Sequence, residues 1–251
     1  MPIALSDLRR QLHAITGEGL STRALLPFGL DALDGRLAGG GLRGDALHEA
    51  APTGPGLAED AAATLFLAGI AARTAGPILW VVRRRDLFAP GLYQAGIAPE
   101  RLIHAEARDD PELLELMEEG LRHRGLGAVV GEAAKVPMPA TRRLQLAAEG
   151  GTAPALLLRR PGRDGGDPLA APSAAVTRWR IAPAPSLPLP GLAADAGVGR
   201  GCWRVALVRQ RGGPEFETLV EACDETGCLA LPARLGDRAA APDRDAGRIA
   251  A

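Results

Sequence analysis

Residues 47–73, LHEAAPTGPGLAEDAAATLFLAGIAAR, decide how the rest of the chain is read. Apolar Leu47, Ala50 and Ala51 suit a short buried strand, Pro52, Gly54, Pro55 and Gly56 a loop, and the Ala-rich residues 58–73 a helix. That layout is the frame of a phosphate-binding loop, G-x-x-x-x-G-K-[ST]. In such a loop backbone N–H groups at a helix N-terminus cradle phosphates, a lysine neutralises their charge and a hydroxyl holds magnesium. Laid over the pattern without gaps, Ala51 takes the first glycine, Gly56 the last, Leu57 the lysine and Ala58 the hydroxyl, with Glu59 and Asp60 following. Lys135 is the only lysine in the chain and no arginine lies between Arg43 and Arg73. The stretch therefore has the outline of a degenerate Walker A loop with its chemistry removed, or it is an ordinary strand–loop–helix unit.

Alternating elements follow. Ile78-Leu79-Trp80-Val81-Val82, Val129-Val130 and Ala155-Leu156-Leu157-Leu158 are continuous apolar runs, as strands covered on both faces are. Helices are expected from Pro111 to Arg124 and from Thr141 to Ala148, and a short strand at Leu102-Ile103-His104-Ala105. The pattern predicts an α/β fold: a mostly parallel sheet with helices on both faces. Ahead of it, Gly39-Gly40-Gly41 forces a turn where positive φ is available. Behind it, Val176 to Ile181 alternates like a half-exposed strand, and Trp203–Arg209 with Phe216–Glu221 predicts a C-terminal β-hairpin extension. The expected organisation is an N-terminal helix and linker (1–22), a core (23–182), a Pro-rich connector and hairpin (183–231) and a disordered tail (232–251).

The 251 residues, 47% hydrophobic, suffice for one sizeable core. A net charge of −1 gives no global field toward nucleic acid or membrane. Cys202, Cys223 and Cys228 form neither a disulfide framework nor a zinc spacing. No secretion signal or membrane-length apolar run is visible, so a cytoplasmic protein is expected.

The order of these motifs resembles the RecA recombinase core. The carrying residues are Gly29-Leu30-Asp31-Ala32-Leu33-Asp34, the turn Gly39-Gly40-Gly41-Leu42-Arg43-Gly44, the loop position after it, and the strands at Ile78, Val129 and Leu156. Within that group, the lost lysine, the short leading helix and the Pro-rich C-terminal part resemble the ImuA family, RecA-like accessory proteins of bacterial SOS-induced mutagenesis. The resemblance implies a non-catalytic partner role in translesion synthesis after DNA damage. The implied partners are ImuB, an inactive Y-family polymerase relative, and through it an error-prone replicative-type polymerase; nucleoid association after damage would follow. No cofactor or metal is expected. Arg83-Arg84-Arg85 stand where RecA carries a catalytic glutamate, and Glu132 stands at the Walker B position, either as a relic of metal binding or as a strand-end acid.

Two segments match the DNA loops of RecA, residues 135–143 and 159–172. Their Arg142, Arg143, Arg159, Arg160 and Arg163 are candidates for DNA contact, weighed evenly against ordinary surface arginines. Leu5, Leu8, Leu12 and Ile15 form a stripe that either docks on a partner or second copy, or folds back on its own core. Trp203 and Phe216 are candidate partner anchors, unless the hairpin buries them in the sheet. Two other function classes stay open: a RecA-like ATPase with a non-canonical nucleotide site, disfavoured by the lone lysine, and a SulA-like cell-division inhibitor.

Overall fold

In the computed structural model, residues 25–161, 165–187 and 199–232 are described. The stripe Leu5, Leu8, Leu12 and Ile15, Arg163, and the tail beyond 232 lie outside them.

A two-stranded ribbon, β1 (Leu25–Leu26) with β2 (Leu42–Arg43), leads in, with the short helix α1 (Asp31–Asp34) between its strands. The Asp34 carboxylate ties the entry, accepting from the backbone N–H groups of Phe28, Gly29 and Leu30 at 2.7, 2.8 and 3.1 Å. Gly39 and Gly40 take φ of 94° and 80°, a region that glycine enters without strain.

The main body runs β3 (Leu47–Pro52), α2 (Leu57–Ala72), β4 (Ile78–Val82), α3 (Ala89–Gln94), β5 (Leu102–Glu106), α4 (Asp110–Arg122), β6 (Ala128–Ala133), α5 (Met138–Gly150), β7 (Ala155–Arg159), β8 (Thr177–Ala184), β9 (Cys202–Gln210) and β10 (Phe216–Glu221). Eight strands form one sheet in the order β10-β9-β8-β3-β7-β6-β4-β5. The six from β8 to β5 are parallel; β9 and β10 are antiparallel additions. Pleating splits the central strands β3, β4, β6 and β7 between two cores. Ala50, Trp80, Val130, Leu156 and Trp179 face α2 and α3, while Leu47, Val81, Val129 and Leu157 face α4 and α5.

α2 lies across the sheet centre. Ala62, Ala63, Phe66, Leu67, Ile70 and Ala71 are buried, and the alanines let the helix approach closely. Phe66 stacks with Phe28 and tilts against Trp179, ring centroids 5.9 and 5.5 Å apart; burying such a ring contributes roughly 1.5–3 kcal/mol. A Cβ at Gly69 would collide with Cys223 Sγ, so glycine is what admits the 222–229 loop onto this helix. Burial pushes the Cys223 thiol up to about 12, and all three cysteines are free.

Three expectations change. β8 is not half-exposed, since Thr177, Arg178 and Trp179 are all buried. The boundary drawn at 182/183 falls inside β8, so the hairpin strands continue the core sheet and form no separate unit. Trp203 and Phe216 are 5% and 8% exposed, the latter edge-on to Trp179 at 6.0 Å, so neither is a surface anchor. Adding β9 and β10 to the sheet placed both rings over the α2 core, which is where their apolar area is worth most.

Candidate functional site

The loops that follow β3, β4, β6 and β7 leave the parallel sheet at one edge, the carboxyl ends of the strands, where ligands of open α/β sheets bind. β3 ends at Pro52, the loop passes Thr53 to Gly56, and α2 starts at Leu57 with Gly56 as an N-cap that provides no side-chain hydrogen bond. Leu57 is 90% exposed. Glu59 and Asp60 lie in the first helical turn, where the peptide dipoles favour negative charge. The Glu59 side chain folds back over the loop, so that a Cβ at Gly56 would collide with its carboxylate.

Behind the loop, Arg160 follows β7 and reaches across it. Its Nη1 lies 2.8 Å from Asp60 Oδ2 and its Nη2 2.6 Å from Glu132 Oε2. Trp80 Nε1 donates to the other Glu132 oxygen at 2.7 Å. Burial works against the guanidinium's charge, but Glu132 and Asp60 hold its pKa above the ordinary arginine value. A guanidinium thus joins the first turn of α2 to the strand-end carboxylate of β6, the two places from which a phosphate loop and its metal would be served. These residues do not fit a magnesium nucleotide: the lysine position is Leu57, the hydroxyl position is Ala58, and Asp60 and Glu132 are already engaged by Arg160, with Glu59 adding a further negative charge over the loop.

Arg83, Arg84 and Arg85 follow β4 at the same edge, paired with Asp110 (3.3 Å), Asp86 (3.1 Å) and Glu106 (2.8 Å). Ala51 is buried in β3, and Gly54 lies under Glu59.

On the opposite face of the sheet, Glu49 is fully buried. Arg159 Nη1 and Ser173 Oγ donate to its Oε1, both at 2.9 Å, and Arg178 Nε donates to its Oε2 at 2.7 Å. Arg159 is therefore an internal partner of Glu49, and Arg160 an internal partner of Asp60 and Glu132; neither stands on the surface as a DNA contact would. Arg142 and Arg143 do stand there, on α5, with Arg143 Nε 3.2 Å from Glu118.

Next to Glu49, His48 is buried between Thr177 Oγ1 (2.7 Å from Nδ1) and the Arg43 carbonyl (2.8 Å from Nε2). The Arg43 carbonyl can only accept, so the neutral ring carries its proton on Nε2; Nδ1 then accepts from the Thr177 hydroxyl, whose oxygen in turn accepts from Trp179 Nε1. Burial lowers its pKa to about 4.

Sequence reasoning located Leu57, Ala58, Asp60 and Glu132. It missed that Arg160 joins the last two, and it missed Glu49 altogether. The available signal was a lone carboxylate, beside a histidine, inside the short buried strand LHEAAP.

No family model matches the chain. Two curated proteins named Protein ImuA, from two strains of Caulobacter vibrioides, are each 44% identical to it over 222 residues, covering 84% of this chain and 88% of the relative. The chain belongs to the ImuA family. Its fold is RecA-like: the crystal structure of the RadB recombinase superposes with a TM-score of 0.58 at 17% identity, covering 83% of this chain and all of that one. Among the described residues, no helix of this ImuA-family chain is long and apolar enough to cross a membrane.

Proposed function

We propose that this chain is a non-catalytic RecA-like accessory protein of a mutagenic translesion-synthesis complex, acting in the cytoplasm during the SOS response. Its partner in this reading is ImuB, and through ImuB an error-prone replicative-type polymerase. Membership in the ImuA family supports the place in that system.

The observation that carries the non-catalytic part is the Arg160 bridge. One guanidinium spans Asp60 and Glu132, and Leu57 stands bare at the lysine position. Phosphoryl transfer relies on positioning and on positive charge around the transferred group. Here the loop presents an apolar side chain and a folded-back carboxylate, both unfavourable to a polyphosphate.

Calorimetric titration with Mg·ATP tests this directly. No binding tighter than about millimolar, about −4 kcal/mol, is expected. Micromolar binding would overturn the reading and restore an ATPase. The partner role is tested by deleting the gene: damage-induced mutation should fall and return on complementation with the wild-type chain.

A further inference from the structure

α5 is held to the body by one face. Ala140, Thr141, Leu144, Gln145 and Ala148 are buried, and Gln145 Oε1 accepts from the backbone N–H of Leu47 at 2.9 Å. The outer face is consequently fixed in place. Along it run Met138, Arg142 and Leu146, at i, i+4 and i+8, a row about 12 Å long. Met138 is 42% and Leu146 57% exposed, and Arg142 between them makes no ion pair or hydrogen bond among the described residues.

We propose that this row docks a protein segment presenting a carboxylate between two apolar side chains, such as one face of an acidic amphipathic helix. The inference rests on the partner role above and names its surface and chemistry. Two observations set the charge of the occupant. Arg142 is a surface cation with no acid paired to it among the described residues, whereas Arg143 beside it is engaged by Glu118, which also holds Arg122. The first turn of α5 also carries no acidic residue, so its dipole adds to the attraction for a carboxylate. The flanking Met138 and Leu146 set the rest, since an apolar pair around one arginine suits side-chain packing. The exposed Lys135 just ahead of α5 adds a second cation for an acidic segment, whereas a nucleic-acid backbone following the helix would meet Glu149 on α5 itself and Glu118 beside Arg143.

The experiment measures binding of purified ImuB from the same organism to the full-length chain, comparing wild type with Arg142→Glu, with Met138→Asp plus Leu146→Asp, and with Leu57→Glu. All four positions are on the surface, and matched thermal unfolding curves would show that each variant is folded. Arg142→Glu is expected to weaken binding about thirtyfold, the double variant to abolish it, and Leu57→Glu to leave it unchanged. Wild-type affinity in both α5 variants would overturn the proposal, as would loss confined to Leu57→Glu. Retained ImuB binding with lost retention on single-stranded DNA would assign α5 to nucleic acid and overturn it too. If the wild type fails to bind ImuB, the partner reading falls and takes this surface with it; if the wild type binds and the variants do as well, only the surface falls.

Discussion

Arg159 and Arg160 are neighbours in sequence and opposites in environment. At the end of β7 pleating sends them to different faces of the sheet. Arg159 meets Glu49 in a fully covered interior, together with Arg178 and Ser173. Arg160 meets Glu132 and Asp60 at the rim, where α2 begins and solvent is near. The first cluster binds β3, β7 and β8 together across the middle of the sheet. The second sits at the carboxyl ends of the parallel strands, where open α/β sheets bind their ligands. Similar chemistry therefore serves the integrity of the fold on one face and ties the start of α2 to the carboxyl-end rim of the sheet on the other. The energetics should separate accordingly.

The largest expected effect is at Glu49. Glu49→Gln leaves two buried guanidinium groups without a counter-charge, a loss of about 3–5 kcal/mol, large beside the 5–15 kcal/mol stability typical of a domain. Chemical denaturation would show it as a fall in midpoint at constant slope. A loss under about 1 kcal/mol would mean that the buried arginines find water or other partners, and the contrast between the two faces would collapse.

His48, beside Glu49, adds a pH dependence. Its folded pKa is about 4, below the ordinary 6.5. The unfolded chain therefore takes up the proton first as pH falls. The contribution of the neutral ring is complete above about pH 6.5 and is lost progressively down to about pH 4, amounting to about 3 kcal/mol. Comparing wild type with His48→Gln from pH 7.5 to 4.5 isolates it. Parallel stability curves for the two proteins would refute the assignment.

At the rim, Arg160→Ala should cost only about 1–2 kcal/mol, because water can reach Asp60 and Glu132 once the guanidinium is gone. Equal losses for Arg160→Ala and Glu49→Gln would show that the two clusters are energetically alike, against the argument made from their burial.

The elements that make the fold were legible because burial on both faces writes itself into composition. Residues 78–82 and 155–158 are unbroken apolar runs, and such runs are strands inside a parallel sheet. β8 misled for the same reason in reverse. Arg178 and Arg180 alternate with Trp179 and Ile181 as on a solvated face, yet Arg178 is interior because Glu49, 129 positions earlier, receives it. Trp203 and Phe216 were equally ambiguous, since an aromatic in a hairpin suits a core or a docking surface, and only the pairing of β9 with β8 decides. At the site, the missing lysine and hydroxyl could be read directly from Leu57 and Ala58. The Arg160 bridge could not, because it joins α2, β6 and the end of β7, segments whose adjacency is a property of the sheet order.

The smallest expected effect sharpens the comparison most. Leu57→Lys with Ala58→Thr puts back the two side chains that the phosphate-loop pattern lacks. Both positions are exposed at the start of α2, so stability should change by no more than about 0.5 kcal/mol. If those two side chains were all that separated this loop from a nucleotide site, Mg·ATP should then bind. The geometry says otherwise. Glu59 still lies over Gly54 and Gly56, Asp60 still places a second acid in the first turn, and Arg160 still occupies Glu132, the carboxylate that would orient a metal. The expected calorimetric result for the double variant is no binding tighter than about millimolar. Micromolar affinity would show that the bridge is no barrier and that this rim is two substitutions away from a working site. The absence of any binding, with folding intact, would place the block in the charges that surround the loop and not in the lost lysine alone.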